Sequence, residues 1–204
     1  MAHFTRRTAL TALACLVPAF SSALASVTQA APTRYTLNKG GSNVGFSFMM
    51  GGGAQKGTMP VQTAKITIDP DNLASSHVNV SVNVAGARTG LIFATQALIG
   101  PEVLDAAQFP TIRFVSRTVK LAADGRLSGG ARIIGDLTLR GITRPITLQA
   151  NLYRQSGSAV DDLRSLTVQL TGQVSRSAFG AVGYPNLVAD MVGLDITAVI
   201  SASP

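Results

Sequence analysis

Val78-Asn79-Val80-Ser81-Val82-Asn83-Val84 alternates without a break, four valines on one side and Asn, Ser and Asn on the other. Successive side chains of a strand point to opposite faces. Such a segment therefore buries one face and wets the other, and β-branched valine suits the pleated backbone. The same period of two recurs at Ile66/Ile68, Ile112/Phe114, Leu137/Leu139, Ile146/Leu148/Leu152, Leu166/Val168/Leu170 and Val192/Leu194/Ile196. Together with Tyr35 to Met50 these make eight candidate strands. Asp69-Pro70-Asp71-Asn72, Ala123-Asp124-Gly125 and Gln155-Ser156-Gly157-Ser158 supply turn chemistry between them. No connecting segment has the helical period that a βαβ crossover needs, so the expected topology is an antiparallel meander. Eight strands with one apolar face each can close into an all-β barrel, which removes open edges; a β-sandwich is the rival architecture.

Three segments depart from plain alternation. Between Gly90 and Phe109 the period is lost, and Gly100-Pro101-Glu102-Val103-Leu104 reads as a short helix with Pro101 at its first position, set across a barrel mouth as a lid. Gly51-Gly52-Gly53 reads as a flexible loop. Gly135 to Leu148 reads as a hairpin with a longer loop, in which Gly141 supplies a permissive backbone and Pro145 restricts the start of the second strand.

The first residues read as an export signal. Arg6 and Arg7 precede an apolar stretch, Ala9 to Phe20, too short to span a bilayer, and Ala23-Leu24-Ala25 is a small-residue cleavage site. Cleavage is expected after Ala25, or as late as Ala30, leaving 179 of 204 residues in the first case. Residues 26–33 read as a mobile lead-in and 34–204 as one domain with room for a real core. The sole cysteine, Cys15, leaves with the signal, so neither a disulfide nor thiol chemistry is expected. Loss of Arg6 and Arg7 lowers the formal net charge from +7 to +5, a balance that favours solubility and anionic surfaces. Sparse aromatics, absent tryptophan and scattered arginines argue against nucleic acid.

The hairpin Gly135-Asp136-Leu137-Thr138-Leu139-Arg140-Gly141-Ile142-Thr143-Arg144-Pro145-Ile146 resembles the G-x-L-T-L-x-G-[VI]-T-[RK]-P-[VI] signature of the YceI-like family. Tyr35, Leu37, Ser42, Val44, Phe46 and Phe48 match the family's opening pattern, and Thr89-Gly90, Leu98, Leu104-Asp105 and Phe109 to Ser116 its middle. Arg176, Phe179-Gly180, Asp190, Val192 and Leu194 match its end. The resemblance implies a periplasmic, lipocalin-like barrel that binds long polyisoprenoid or other lipophilic chains, such as a prenyl quinone or polyprenyl phosphate. It also implies, by analogy, a membrane-surface or cytochrome b561-type partner, and a homodimer. The departures fall on polar positions: Asn38, Gly41, Met50, Gln96-Ala97 and Ala178 stand where the family carries acids or histidines.

On that implication the ligand wall comprises Phe46, Phe48, Val80, Val82, Phe114, Leu137 and Leu139, with Leu98, Leu104 and Phe109 near the mouth. Ordinary core packing is the plain alternative for each. Arg88 and Arg176 are the candidates for an anionic headgroup, because guanidinium forks onto such oxygens; a structural ion pair with Asp105 or Asp190 is the alternative. Arg140 and Arg144 flank the hairpin turn, where they would meet anionic lipid. With His77 as the only mature imidazole and no G-x-S-x-G elbow, no catalytic residue, metal ligand or cofactor is expected. The expected alternative to a lipid carrier is a filled barrel acting as a docking module.

Overall fold

Alternating strands can bury their apolar faces without exposing edges only if the sheet closes, and it does. The computed structural model describes residues 32–69, 72–121, 129–154, 157–159 and 162–203. The expected export signal lies outside these residues, as do the turn signals at 70–71, 123–125 and 155–156. The strands are β1 (Thr33–Leu37), β2 (Asn43–Met50), β3 (Gly53–Met59), β4 (Val61–Ile68), β5 (His77–Asn83), β6 (Arg88–Thr89), β7 (Thr111–Leu121), β8 (Ala131–Leu139), β9 (Ile142–Arg154), β10 (Ser165–Ser175) and β11 (Met191–Ala202). One helix, α1 (Ile92–Ile99), lies between β6 and β7.

The ring runs β1-β4-β5-β7-β8-β9-β10-β11 and closes through β1 and β11, an eight-stranded antiparallel barrel. β2, β3 and β6 continue three of these strands past one end of the ring. The lower half of β11 pairs with β1 (Ile200 opposite Leu37), and its upper half pairs with β2 (Leu194 opposite Phe46). The corner between β1 and β2 is tied by Ser42, whose hydroxyl donates to Asn38 O at 2.7 Å and accepts from Val199 N at 3.0 Å. Asn38, at a position where the family pattern carries an acid, also caps this corner by accepting from Gly41 N at 3.1 Å.

Three expectations are corrected. The helix occupies Ile92–Ile99, and Gly100 is its C-cap, so Pro101 follows the helix and stops it instead of starting it. Gly51-Gly52-Gly53 is no loose loop: Gly51 (φ 58°) and Gly52 (φ 81°) form a two-residue mirror-image turn, and Gly53 opens β3. The Gly135 to Leu148 hairpin is equally tight, with Arg140 (φ 50°) and Gly141 (φ 72°) alone between paired Leu139 and Ile142. Pro145 sits inside β9, opposite Asp136. It is tolerated there because β10 pairs only with Gln149–Arg154, leaving the Pro145 half of β9 as an edge on that side.

Buried apolar side chains fall into three clusters. One around Leu137, Val174 and Phe179 lies towards the β8–β9 turn, one around Tyr35, Ile66 and Ile200 towards the opposite end, and a third joins Ile133, Leu148 and Ala150. The third shares Phe114, Ile146 and Leu194 with the first and Val168 with the second, so the three join along the inside of the ring.

Candidate functional site

The inward faces of the strands enclose a lumen of about 580 Å³, within the size range of small-molecule sites. Alternation places Val78, Val80 and Val82 of β5, Leu166, Val168, Leu170 and Val174 of β10, and Leu194, Ile196 and Ile200 of β11 on its wall. The polar side chains that touch it are Tyr35, Ser42, Ser76, Arg176, Tyr184 and Thr197. Tyr35 donates its hydroxyl to Leu163 O at 2.9 Å, and burial pushes its phenol pKa up. The lumen therefore offers an apolar chain a dry wall with little else to bind.

One end of the lumen is framed by α1, the β2–β3 turn and the segment 181–188, and this is its mouth. Phe93, Tyr184 and Leu187 line the lumen and are also exposed at the surface. Beside them Ile92 is 81% exposed and Val182 60%. α1 (IFATQALI) turns Ala94, Ala97, Leu98 and Phe93 to the lumen and is anchored through Thr95, whose hydroxyl accepts from Thr89 N at 2.9 Å. A helix apolar on nearly every side is ordinarily buried. This one leaves its first two residues in solvent.

Three arginines stitch the mouth together. Arg176, almost wholly buried, donates to Ala181 O (2.6 Å), Gly183 O (2.7 Å), Val188 O (2.8 Å) and Ala189 O (3.1 Å). The segment so held is joined to its neighbours by Gly183 N to Glu102 O (2.9 Å), Gly51 N to Leu187 O (2.9 Å) and Ala189 N to Met49 O (3.0 Å). Arg140 donates to Pro101 O (2.8 Å) and Val103 O (3.0 Å) and lies over the Phe109 ring, while Arg144 donates to Ala178 O at 2.6 Å. Arg140 and Arg144 thus each donate to backbone carbonyls, Arg144 from an exposed position, and Arg140 ties the Gly100–Leu104 segment to the β8–β9 turn. Asp190 accepts from Ser177 N at 2.9 Å, and hydrogen bonds from Ser175 and Ser177 hold its carboxyl below the usual carboxylate range.

Of the residues picked out from sequence, Phe46, Phe48, Val80, Val82, Leu98, Leu104, Phe114, Leu137 and Leu139 all lie on the wall. Phe109 lies outside it, packed beneath Arg140 and against Gly141. Arg176 reaches the lumen with its donors already engaged by carbonyls. Arg88 is exposed on β6, away from the lumen wall, and donates to Ala87 O at 2.7 Å. Neither Asp105 nor Asp190 is ion-paired with an arginine among the described residues, where Arg117–Asp136 and Arg164–Asp162 are the pairs found. Sequence reasoning missed the mouth residues Phe93, Tyr184 and Leu187, because they sit on segments without a strand period. The described residues contain no group of three or more His, Cys, Asp or Glu able to hold a metal ion, and no helix long and apolar enough to cross a membrane.

Known proteins share this design. Protein YceI of Escherichia coli is 31% identical over 139 residues, 67% of this chain and 70% of that protein. BcnA of Burkholderia cenocepacia superposes with a TM-score of 0.69 at 20% identity, covering 80% of this chain and 99% of that one. A polyisoprenoid binding domain from Saccharophagus degradans superposes with a TM-score of 0.59 at 14% identity, covering 83% and 98%. With the YceI-like domain matching residues 35–200, all of the barrel but the outermost two residues of β1 and of β11, the chain belongs to the YceI-like family.

Proposed function

We propose that this protein is a non-catalytic periplasmic carrier of an amphiphilic polyisoprenoid, a prenyl quinone or a polyprenyl phosphate, held in the barrel lumen. The observation that carries this reading is the apolar lumen of about 580 Å³, which opens between exposed apolar residues at one end. Each methylene withdrawn from water contributes about 0.8 kcal/mol. About ten of them therefore supply ~8 kcal/mol, the scale of a micromolar Kd before the costs of ordering the ligand are subtracted. No polar constellation is needed for such binding. The headgroup then stays at the mouth, in reach of water, while the chain lies against the valines, leucines and phenylalanines inside.

The mouth is also where the protein would meet its source of ligand. Ile92, Phe93, Val182 and Leu187 form the surface through which a bilayer, or a membrane cytochrome of the b561 type, is approached. The filled-barrel docking module finds no support in a lumen of this volume.

Native mass spectrometry of the exported protein, purified without detergent and followed by lipid identification after denaturation, tests the carrier reading. A discrete added mass resolving to a prenyl lipid is expected. A bare mass that persists after incubation with membrane lipids rejects it.

A further inference from the structure

Resting on the carrier reading, we propose that three inward-facing glycines act as notches that keep the lumen wide enough for methyl-branched chains, and so set its preference for isoprenoid over straight-chain ligands. By strand alternation Gly57, Gly135 and Gly172 fall on the inward faces of β3, β8 and β10, two residues from the wall residues Met59, Ile133 and Leu137, Leu170 and Val174, and are themselves covered by other side chains. Glycine within a strand costs stability relative to a side chain that packs, and commonly marks a place where something approaches the backbone closely.

At each notch the approaching group is a bulky side chain of the adjoining strand. A Cβ added to Gly57 would lie 2.2 Å from Cζ of Phe46, its cross-strand partner, so the ring edge already fills that place. A Cβ on Gly135 would lie 2.5 Å from Cζ of Phe114, which leans across from its own partner, Leu137. Gly172 receives Leu148, whose Cδ2 would lie 2.7 Å from an added Cβ. Phe46, Phe114 and Leu148 all belong to the lumen wall. Each is laid against the backbone of the next strand instead of projecting across the bore. Phe48 stacks on Phe46 with an interplanar angle of 21°, continuing the same flattened surface. The wall thus carries Phe46, Phe114 and Leu148 while giving up little width at those three places. A straight acyl chain does not need that width; a chain with a methyl on every fourth carbon does.

Displacement of a fluorescent lipid reporter by farnesol and by pentadecan-1-ol, alcohols of equal carbon number, tests the idea on the wild-type protein and on G57A and G135A. In wild type, farnesol should bind at least as tightly as pentadecan-1-ol. In each variant the ring is pushed into the bore, and farnesol affinity should fall by roughly tenfold, the scale on which a pocket resolves one methyl, while pentadecan-1-ol changes less than about threefold. Equal losses for the two alcohols, or no loss, in a folded variant overturn the proposal. The added Cβ also approaches Arg88 O in G57A and Val115 O in G135A, so either variant can fail to fold. The wild-type comparison stands without them: pentadecan-1-ol binding roughly tenfold tighter than farnesol overturns the notches by itself. If neither alcohol displaces the reporter from wild type, the carrier reading fails, which is a different result.

Discussion

Arg176 shows how one residue can be conspicuous in sequence and still have its role set by what folds around it. The R-x-x-F-G pattern marks it, and an arginine near a lipid mouth suggests an anion. Yet its guanidinium faces the carbonyls of Ala181, Gly183, Val188 and Ala189, which no pattern in the chain announces. Arg176→Met should leave those carbonyls without their charged donor and lower unfolding free energy by about 2–4 kcal/mol. Urea denaturation reads that loss, and hydrogen exchange should localise it to 181–189. Unchanged stability with selective loss of polyprenyl phosphate binding would return Arg176 to the headgroup. Asp190 offers a gentler probe of the same corner. Its carboxylate is favoured by the fold, so its contribution is complete above the unfolded pKa of about 3.9 and fades as pH falls through the lower folded value. The Ser177 amide, which donates to it, should titrate by NMR with a midpoint below that of an unstructured aspartate. A midpoint at or above it would show that the carboxylate does not hold this amide.

Among the elements, those that follow a period of two were legible because the period belongs to the strand itself, whatever it pairs with. Val78 to Val84 and Leu166 to Leu170 could be read in isolation for that reason. β3 (GAQKGTM) could not: its inward positions are Gln55, Gly57 and Met59, and the apolar side chain over Gly57 is supplied by Phe46 on the partner strand. α1 is hard to place from sequence because it lacks a broad polar face, the usual sign of a surface helix, and Pro101 serves equally well as a start or a stop. The two tight turns make the point quantitative. Gly52 (φ 81°) has nothing within 4 Å of an added Cβ, so G52A should cost only the backbone strain of a left-handed alanine, about 1 kcal/mol. At Gly141 (φ 72°) the Cβ would also lie 3.1 Å from Phe109 Cε1, so G141A should cost roughly 1.5–2 kcal/mol. Urea midpoints compare the two, and equal losses would mean that Phe109 yields freely beneath the turn.

At the scale of the whole molecule, the barrel was legible and its polarity was not. Sequence alternation defines an inside and an outside, but nothing in it says which end of the ring is open. That follows from tertiary assembly: β2, β3 and β6 extend the ring past one end, α1 lies at that end, and Arg176 together with Glu102 O, just past the helix, holds the 181–188 segment beside it. Ile92, Phe93, Val182 and Leu187 are exposed around the resulting mouth, while Met50 and Ala97, at positions where the family pattern is polar, line the lumen close by. Under the proposed carrier function, an apolar ligand crossing from a bilayer to the lumen would otherwise pass through water, and apolar residues around the opening would lower that barrier. Ile92 and Val182 allow this to be tested separately from the lumen, since both are exposed and neither is on its wall. Fully burying each such side chain is worth about 1.5–3 kcal/mol. With partial insertion, I92S/V182S should weaken sedimentation with phosphatidylglycerol-containing vesicles by roughly tenfold or more. Reporter binding to the lumen in vesicle-free solution should stay as in wild type. Vesicle binding that survives both substitutions but disappears at high salt would instead assign the contact to the basic surface, because screening weakens exposed charges and leaves apolar insertion nearly untouched.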